Sequence, residues 1–140
     1  MADRNAWSAA VPVIGPGNAR KLYAVGDAIA LVTGDLALNK TVSLFKVPKG
    51  FVVTQVIAYV TDMDTNGSPA VVFSIGDAGS ASRIIATSTS AQAGGSPTIG
   101  VANIIGYQFT AETEIVWTTT TAAATAAAGT VTLFLIGYIP

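Results

Sequence analysis

From Lys21 onward, the chain alternates short apolar runs with clusters of turn-forming residues. The runs are rich in valine, isoleucine, threonine and aromatic residues, and the clusters contain glycine, proline, asparagine, aspartate and serine. This pattern is typical of strands separated by tight turns. It predicts strands at Leu22–Thr33, Thr41–Val47, Phe51–Thr61, Ala70–Ile75, Arg83–Thr87, Thr98–Ile105, Glu114–Thr121 and Thr130–Ile139.

The predicted fold class is all-β, because no segment has a convincing amphipathic helix pattern. About eight short strands with regular turns and no intervening helices are expected of two antiparallel sheets packed face to face. We therefore predict an antiparallel β-sandwich domain over residues 21–140. The eight-stranded form of such a sandwich is a jelly roll, which is the expected architecture.

Residues 1–20 have a different character and are predicted to form an extended, irregular N-terminal arm. Pro12 and Pro16 interrupt any regular element, and two glycines loosen the backbone. The arm also carries large apolar side chains, and leaving one exposed costs about 1.5–3 kcal/mol relative to burial. We expect them to be assembly contacts that dock on the chain's own sandwich, on a neighbouring subunit or on a larger surface: Trp7, Val11, Val13 and Ile14.

The segment "FVVTQVIAYV", residues 51–60, presents an apolar row on both of its faces. An antiparallel strand with one face in water normally alternates apolar and polar residues. The pattern therefore predicts a strand that is covered on both sides. Two arrangements satisfy it: a central strand under a long loop, or a strand at an interface between subunits.

Residues 122–128 are rich in alanine and permit two interpretations. Thr121 could cap the N-terminus of a two-turn helix that ends at Gly129. However, such short helices nucleate poorly, and this one lacks an apolar stripe. The flanking segments alternate with strand periodicity, so we favour a terminal hairpin with an alanine-rich tip.

The charge balance limits the possible partners. The 140-residue chain has seven basic and eight acidic residues, a net charge of -1, so it lacks the basic field that binds nucleic acid. Charged residues make up 11% of the chain, against about 25% in an ordinary domain. Part of the outer surface must therefore be neutral or apolar, which favours contact with other subunits.

The absence of cysteine and histidine excludes disulfides, thiolate chemistry and the common triads of nucleophilic catalysis. We expect no enzymatic activity and no cofactor. The longest apolar run, Val131–Ile139, is too short for a membrane-spanning helix, and the N-terminus lacks a secretory signal pattern. We therefore expect synthesis in a cytoplasm and no membrane partner.

The segment "DMDTNG" matches the first half of a calcium-binding loop, with oxygen ligands at Asp62, Asp64 and Asn66. The match then fails, because Phe73 occupies the position of the bidentate glutamate and the predicted flanks are strands. A polar loop between strands is therefore favoured over a metal site.

Two further groups could in principle support catalysis. Glu112 and Glu114 would lie on one face of a strand, about 6.5–7 Å apart, a spacing that inverting glycosidases use. Ser43 and Lys46 could form a nucleophilic dyad, but no local motif supports one. Carboxylates at alternate strand positions are usually a solvated edge, so neither group is interpreted as an active site.

Three blocks of the sequence resemble small virion proteins of tailed bacteriophages, in particular capsid decoration (cement) proteins and related head proteins. The blocks are "LFKVPKGFVVTQVIAYVTD", "VVFSIGDAGSASRIIATS" and "IIGYQFTAETEIVWTTTTAAATAAAGTVTLFLIGYIP". In that family, a Pro-Gly turn opens a long apolar strand, a Gly-Asp turn follows the middle strand, and a Thr/Ala-rich hairpin ends in an apolar strand. The resemblance covers most of residues 21–140.

The resemblance implies a non-enzymatic structural protein that stabilises the head shell through oligomeric contacts. Its implied partners are further copies of itself, most often in a homotrimer, and the major capsid protein. Its implied location is the outer capsid surface of the virion, after synthesis in the cytoplasm of the bacterial host. The N-terminal arm would be a natural capsid contact.

An alternative function is a carbohydrate- or receptor-binding β-sandwich of a phage fibre or tail. Such a protein would use Trp117, Tyr107 or Tyr59 as a stacking platform, with Asp62 and Asp64 binding calcium. However, an aromatic content of 8% is an ordinary supply for the core of a sandwich, which favours buried rings.

Overall fold

The structure is a computed structural model that describes residues 21–99 and 104–140. The predicted arm over residues 1–20, with its four candidate assembly contacts, lies outside the described residues. Within the described ranges, no helix is long and apolar enough to cross a membrane.

Seven strands form two antiparallel sheets in the described part of the chain: β1 (Tyr23–Leu31), β2 (Thr41–Val47), β3 (Val52–Val60), β4 (Val72–Gly76), β5 (Ile85–Ser88), β6 (Thr113–Thr121) and β7 (Gly129–Tyr138). The β7 sheet has the strand order β1-β7-β3, and the β6 sheet has the order β2-β6-β4-β5. Every pairing between strands is antiparallel. The all-β class and the antiparallel sandwich are confirmed, with seven described strands where eight were predicted.

The predicted strand Thr98–Ile105 accounts for the difference in number. Residues 98 and 99 belong to no strand, and residues 100–103 lie outside the described ranges. The N–H of Tyr107 donates to the carbonyl of Ile104 at 3.0 Å, which closes a turn. Gly106 lies in this turn with a φ of 84°, a conformation that side chains disfavour. The apolar run predicted as a strand therefore ends in a turn whose Ile104 is buried.

The core lies between the two sheets and is filled by their inward side chains. Trp117 of β6 stacks on Phe73 of β4, with ring centroids 4.0 Å apart and planes 9° apart. Beyond its area of contact, such a pair contributes about 0.5–1.5 kcal/mol. The β7 sheet contributes aliphatic residues to the same core: Val53, Ala58, Val60, Val131, Leu133 and Leu135.

The prediction of a terminal hairpin is wrong, because β6 and β7 belong to different sheets. Residues 122–128, which we call the alanine crossing, carry the chain from one sheet to the other and contain no helix. Their backbone is tied to neighbouring segments: the N–H of Ala123 donates to Leu36 and that of Ala127 to Met63, both at 3.0 Å. Strand periodicity on both sides of a short connection does not reveal which partner each strand takes.

The interpretation of residues 51–60 as a central strand is also wrong, because β3 is the edge strand of the β7 sheet. A bulge between Val53 and Gln55 shifts its register. After the bulge, Ala58 faces the core, while Ile57 and Tyr59 face outward with 42% and 52% of their surface exposed. The apolar outer row of β3 is therefore not covered by any described part of the chain.

Candidate functional site

Asp64 lies in the loop between β3 and β4 and is the most enclosed carboxylate of the described residues, with 1% of its surface exposed. Its two oxygens accept short hydrogen bonds from backbone N–H groups on two separate segments. Two donors belong to the same loop and two to the alanine crossing, at distances of 2.8 to 3.1 Å: Ala70, Val71, Ala124 and Thr125. One side chain thus joins segments that are about 60 residues apart.

The electrostatic state of Asp64 follows from these contacts. Burial alone raises the pKa of Asp64, but the hydrogen bonds from the four backbone N–H groups outweigh burial and hold the pKa well below its ordinary value. The carboxylate is therefore ionised at neutral pH. It stabilises the alanine crossing, whose own side chains supply little packing.

The "DMDTNG" loop is folded as a polar connection and not as a cation site. Both oxygens of Asp64 face N–H dipoles, which place positive charge where a cation would have to bind. Asp62 Oδ1 accepts from the N–H of Asp64 at 3.0 Å, and Asn66 Oδ1 accepts from the N–H of Ser68 at 2.9 Å. No cluster of three potential metal-ligating side chains occurs in residues 21–99 and 104–140. The geometry supports the polar-loop interpretation.

Asp77 follows β4 and organises a second, local loop. It pairs with Arg83 through Oδ2 at 2.6 Å and Oδ1 at 3.2 Å, and the N–H groups of Gly79 and Ser80 donate to Oδ1 at 2.9 Å. Burial raises the pKa of Asp77, but the hydrogen bond from Arg83, aided by the backbone donors, lowers it below its ordinary value. The Arg83 guanidinium also lies 4.3 Å from the centre of the Tyr107 ring.

A cleft of about 580 Å³ lies beside this loop, on the outer side of the β6 sheet. Its polar rim includes Thr41, Glu112 and Glu114. Glu114 accepts a hydrogen bond from the hydroxyl of Ser43. Glu112 pairs at 3.4 Å with Lys46, and both side chains are 67% exposed.

These contacts do not assemble an active site. The two glutamates hold separate partners on a solvated surface. The Ser43 hydroxyl is directed to Glu114, while the Lys46 amine pairs with Glu112, so the serine and the lysine do not form the dyad considered above. What the cleft presents is an exposed ion pair between Lys46 and Glu112 beside Glu114, whose carboxylate accepts from a hydroxyl.

The aromatic platform required by the alternative function is not formed. Trp117 is fully buried, and its Nε1 donates to Thr119 Oγ1 at 2.9 Å. Tyr107 is half-buried beneath Arg83, and Tyr59 lies on the other sheet. The three rings therefore do not share a surface on which a sugar could stack. The structure contradicts this set of candidate residues.

The outer side of the β7 sheet has the opposite character from the cleft. We call this surface the neutral face and define it by the outward positions of its three strands. Strands β3 and β7 contain no charged residue, and Asp27 of β1 pairs with the inward Leu133 and so lies on the other side. The members of the neutral face are Ala24, Gly26, Ala28, Ala30, Val52, Gln55, Ile57, Tyr59, Thr130, Thr132, Phe134, Ile136 and Tyr138.

The chain resembles known proteins in its three-dimensional structure. No known family model matches the chain, and no curated protein matches it. The structure is similar to a chain of the capsid asymmetric unit of the cyanophage Pam1, with 27% sequence identity, a TM-score of 0.77 and coverage of 100% of both chains. It is also similar to a chain in the capsid of the Ralstonia phage GP4, with 21% identity, a TM-score of 0.73 and coverage of 94% and 92%, a match that concerns the fold alone. The predicted resemblance to phage head proteins is thus confirmed.

Proposed function

We propose that this chain is a non-enzymatic structural protein of a phage virion, a capsid decoration or cement protein that stabilises the head shell. The observation that carries the proposal is the end-to-end similarity to a chain of the Pam1 capsid at 27% identity. Because that match leaves no part of either chain uncovered, it concerns the whole sandwich and not a shared substructure.

The chemistry of the described residues supports a structural role. Asp64, Asp77 and Trp117 have their partners within the chain and serve its own folding. Clamping a shell requires complementary surfaces that repeat with the symmetry of the particle, and it requires no reactive group. The neutral face supplies such a surface without the free-energy cost of desolvating charges.

In this function the chain is a homotrimer that contacts the major capsid protein on the outer surface of the head, after synthesis in the cytoplasm of the bacterial host. The N-terminal arm supplies contacts to the shell. Large apolar side chains on an arm outside the sandwich are suited to fill pockets on a partner. These contact residues are Trp7, Val11, Val13 and Ile14.

The direct test is to add the purified protein to heads assembled without it. We expect the protein to sediment with the heads until a fixed number of sites is filled, and filled heads to withstand higher temperature before they release DNA. Cryo-electron microscopy of the filled heads should show the sandwich outside the shell. Binding to tails or fibres, or no binding to heads, would overturn the proposal.

The role of the arm is tested separately with Trp7→Ser. We expect weaker binding to heads at unchanged thermal stability of the free protein, because the substitution removes a shell contact and not a core residue. The matched control is Leu38→Ser, which changes an exposed apolar residue of the sandwich. Equal losses for the two variants would contradict a specific role of the arm.

A further inference from the structure

The register of the β7 sheet decides which side chains point away from the core. Leu133 and Leu135 of β7 are buried, so the alternate residues Phe134 and Ile136 face outward. Ile57 of β3 lies directly opposite Phe134 in the sheet, and Tyr59 lies opposite Thr132. Side chains at such opposed positions lie about 4.5–5.5 Å apart at Cβ, so these residues form one continuous apolar surface.

The neutral face has one part with large side chains and one part with small side chains. Its outward positions on β3 and β7 include large side chains, Ile57, Tyr59, Phe134 and Ile136, which form a ridge. Its outward positions on β1 are all small and form a trough beside that ridge: Ala24, Gly26, Ala28 and Ala30.

The depth of the trough is enforced at Gly26. A Cβ atom added there would lie 1.9 Å from the carbonyl oxygen of Leu133 and 2.8 Å from the Cα of Phe134. No real side chain tolerates such distances, so glycine is required by the close approach of β1 to β7. The floor of the trough is therefore fixed at Gly26.

We propose that the neutral face is the surface on which two copies of this chain meet, with the ridge of one copy seated in the trough of the other. This inference rests on the proposed self-assembly and names its surface. Sheets that pack face to face lie about 10 Å apart, and large side chains opposite small ones fill that space evenly. Because the ridge and the trough lie side by side on the face, each copy can place its ridge in the trough of the next copy and receive the ridge of another copy in its own trough. Such a head-to-tail contact closes as a ring, as the proposed homotrimer requires.

The absence of charge on the neutral face also favours a second copy of the chain as its binding partner. Two identical surfaces with charged residues would place like charges close together, which is unfavourable. The neutral face carries no charge, so this penalty is absent. The outer side of the β6 sheet, in contrast, presents Lys46, Glu112 and Glu114 to solvent.

The neutral face supplies part of the area that a stable contact needs. Three strands of nine or ten residues cover roughly 14 by 30 Å, or about 400 Å², in projection. A stable interface buries about 800 Å² on each partner. The contact therefore extends beyond the three strands, and the exposed Leu22, which precedes β1 on the outward register, continues the face at that end.

The first test replaces Tyr59 with lysine in the full chain. Tyr59→Lys puts a charge on the ridge beside Ile57, at a position that is exposed in the single chain, so the fold should be retained, as thermal unfolding would verify. In sedimentation at several concentrations we expect the dissociation constant of the oligomer to rise at least about tenfold. The control Thr120→Lys, at an exposed outward position of the β6 sheet, should leave it unchanged. An unchanged oligomer in Tyr59→Lys would overturn the inference.

The second test uses the absence of cysteine in the chain, which makes a single introduced thiol a clean probe. The thiol of Ile57→Cys should react slowly with a maleimide when the protein is concentrated and rapidly after dilution. The control Thr120→Cys should react rapidly under both conditions. A thiol at position 57 that stays protected in a monomer would mean that the chain's own arm covers the face, which would overturn the inference.

The same measurements separate this inference from the proposed function. A wild-type protein that remains monomeric but saturates heads would overturn the inference and leave the function intact. A protein that assembles through the neutral face but does not bind heads would leave the inference intact and overturn the function.

Discussion

Asp64 and Asp77 follow strands of opposite sheets, and both are buried carboxylates held in loops. Asp77 takes its donors from residues at most six positions away, with Arg83 as the strongest. Asp64 has no cation among its described partners and takes two of its backbone donors from Ala124 and Thr125. The first carboxylate shapes one loop, whereas the second joins two distant parts of the chain.

The difference shows how the fold holds a connection whose small side chains bury little apolar surface. The alanine crossing has small side chains, so burial contributes little to its position. Hydrogen bonds to a buried carboxylate, which are about twice as strong as neutral ones, supply the missing restraint. The Asp77 loop has its own guanidinium and depends less on distant segments.

The largest expected effect is that of Asp64→Asn. The substitution keeps the shape but replaces one acceptor oxygen with an amide donor, which then faces backbone N–H groups. We expect the melting temperature to fall by about 10 °C or more, measured by thermal unfolding. The control Asp62→Asn removes the same charge from an exposed position in the same loop and should change little. Similar losses for both variants would show that loop charge, and not the buried contact, is important.

The pH dependence of this effect follows from the direction of the pKa shift. The pKa of Asp64 is lower in the folded state than in the unfolded state, where it is about 3.9, so its contribution is fully present above about pH 5 and declines as the pH falls toward the folded value. The difference in melting temperature between wild type and Asp64→Asn should therefore narrow below about pH 4. A difference that stays constant down to pH 2 would contradict this assignment.

A smaller effect is expected for Asp77→Asn. The variant loses the ion pair with Arg83 but retains one side-chain oxygen for the backbone donors at Gly79 and Ser80. We expect the melting temperature to fall by about 5 °C. The control Glu112→Gln breaks an exposed ion pair and should have almost no effect. If Asp77→Asn were as damaging as Asp64→Asn, the distinction between local and long-range carboxylates would fail.

The smallest effect is expected for Thr125→Val. Asn66 Nδ2 donates to Thr125 Oγ1 at 2.9 Å, so this hydroxyl links the same two segments that Asp64 joins, but on the exposed side. The variant leaves the backbone N–H of Thr125 on Asp64 intact. We expect a fall of about 2 °C or less in melting temperature. A larger loss would mean that the exposed link, and not the buried carboxylate, holds the crossing.

The strands were predictable because their periodicity and turn residues are local signals. Thr41–Val47 was predicted at its observed bounds, and six other strands were predicted within three residues of theirs. The partners of the strands were not predictable in the same way. The connection at residues 122–128 is short enough for a hairpin, and the contacts that direct it to the other sheet come from Leu36, Met63 and Asp64.

For the candidate site, too, the sequence indicated notable residues but not their distant partners. The aspartates of "DMDTNG" were recognised as notable, but their donors lie too far along the chain for any loop motif to indicate them. The double apolar pattern of residues 51–60 predicted a strand covered on both sides, but the described residues leave its outer row exposed, so the interface alternative stays a prediction. The bulge after Val53 changed which residues face outward. The burial of Trp117 was expected from the ordinary aromatic content, whereas its stacking partner, Phe73, could not be identified from the sequence.

Because β7 lies between β1 and β3, the β7 sheet can form only after β7 has been synthesised. On a ribosome that adds about 5–20 residues each second, β3 is complete several seconds before β7, which begins about 70 residues later, has emerged. Until then β1 and β3 lack the strand that joins them, and the ridge lacks Phe134 and Ile136. The surface proposed above for contact between copies is therefore complete only after β7 has been synthesised and has paired with β1 and β3.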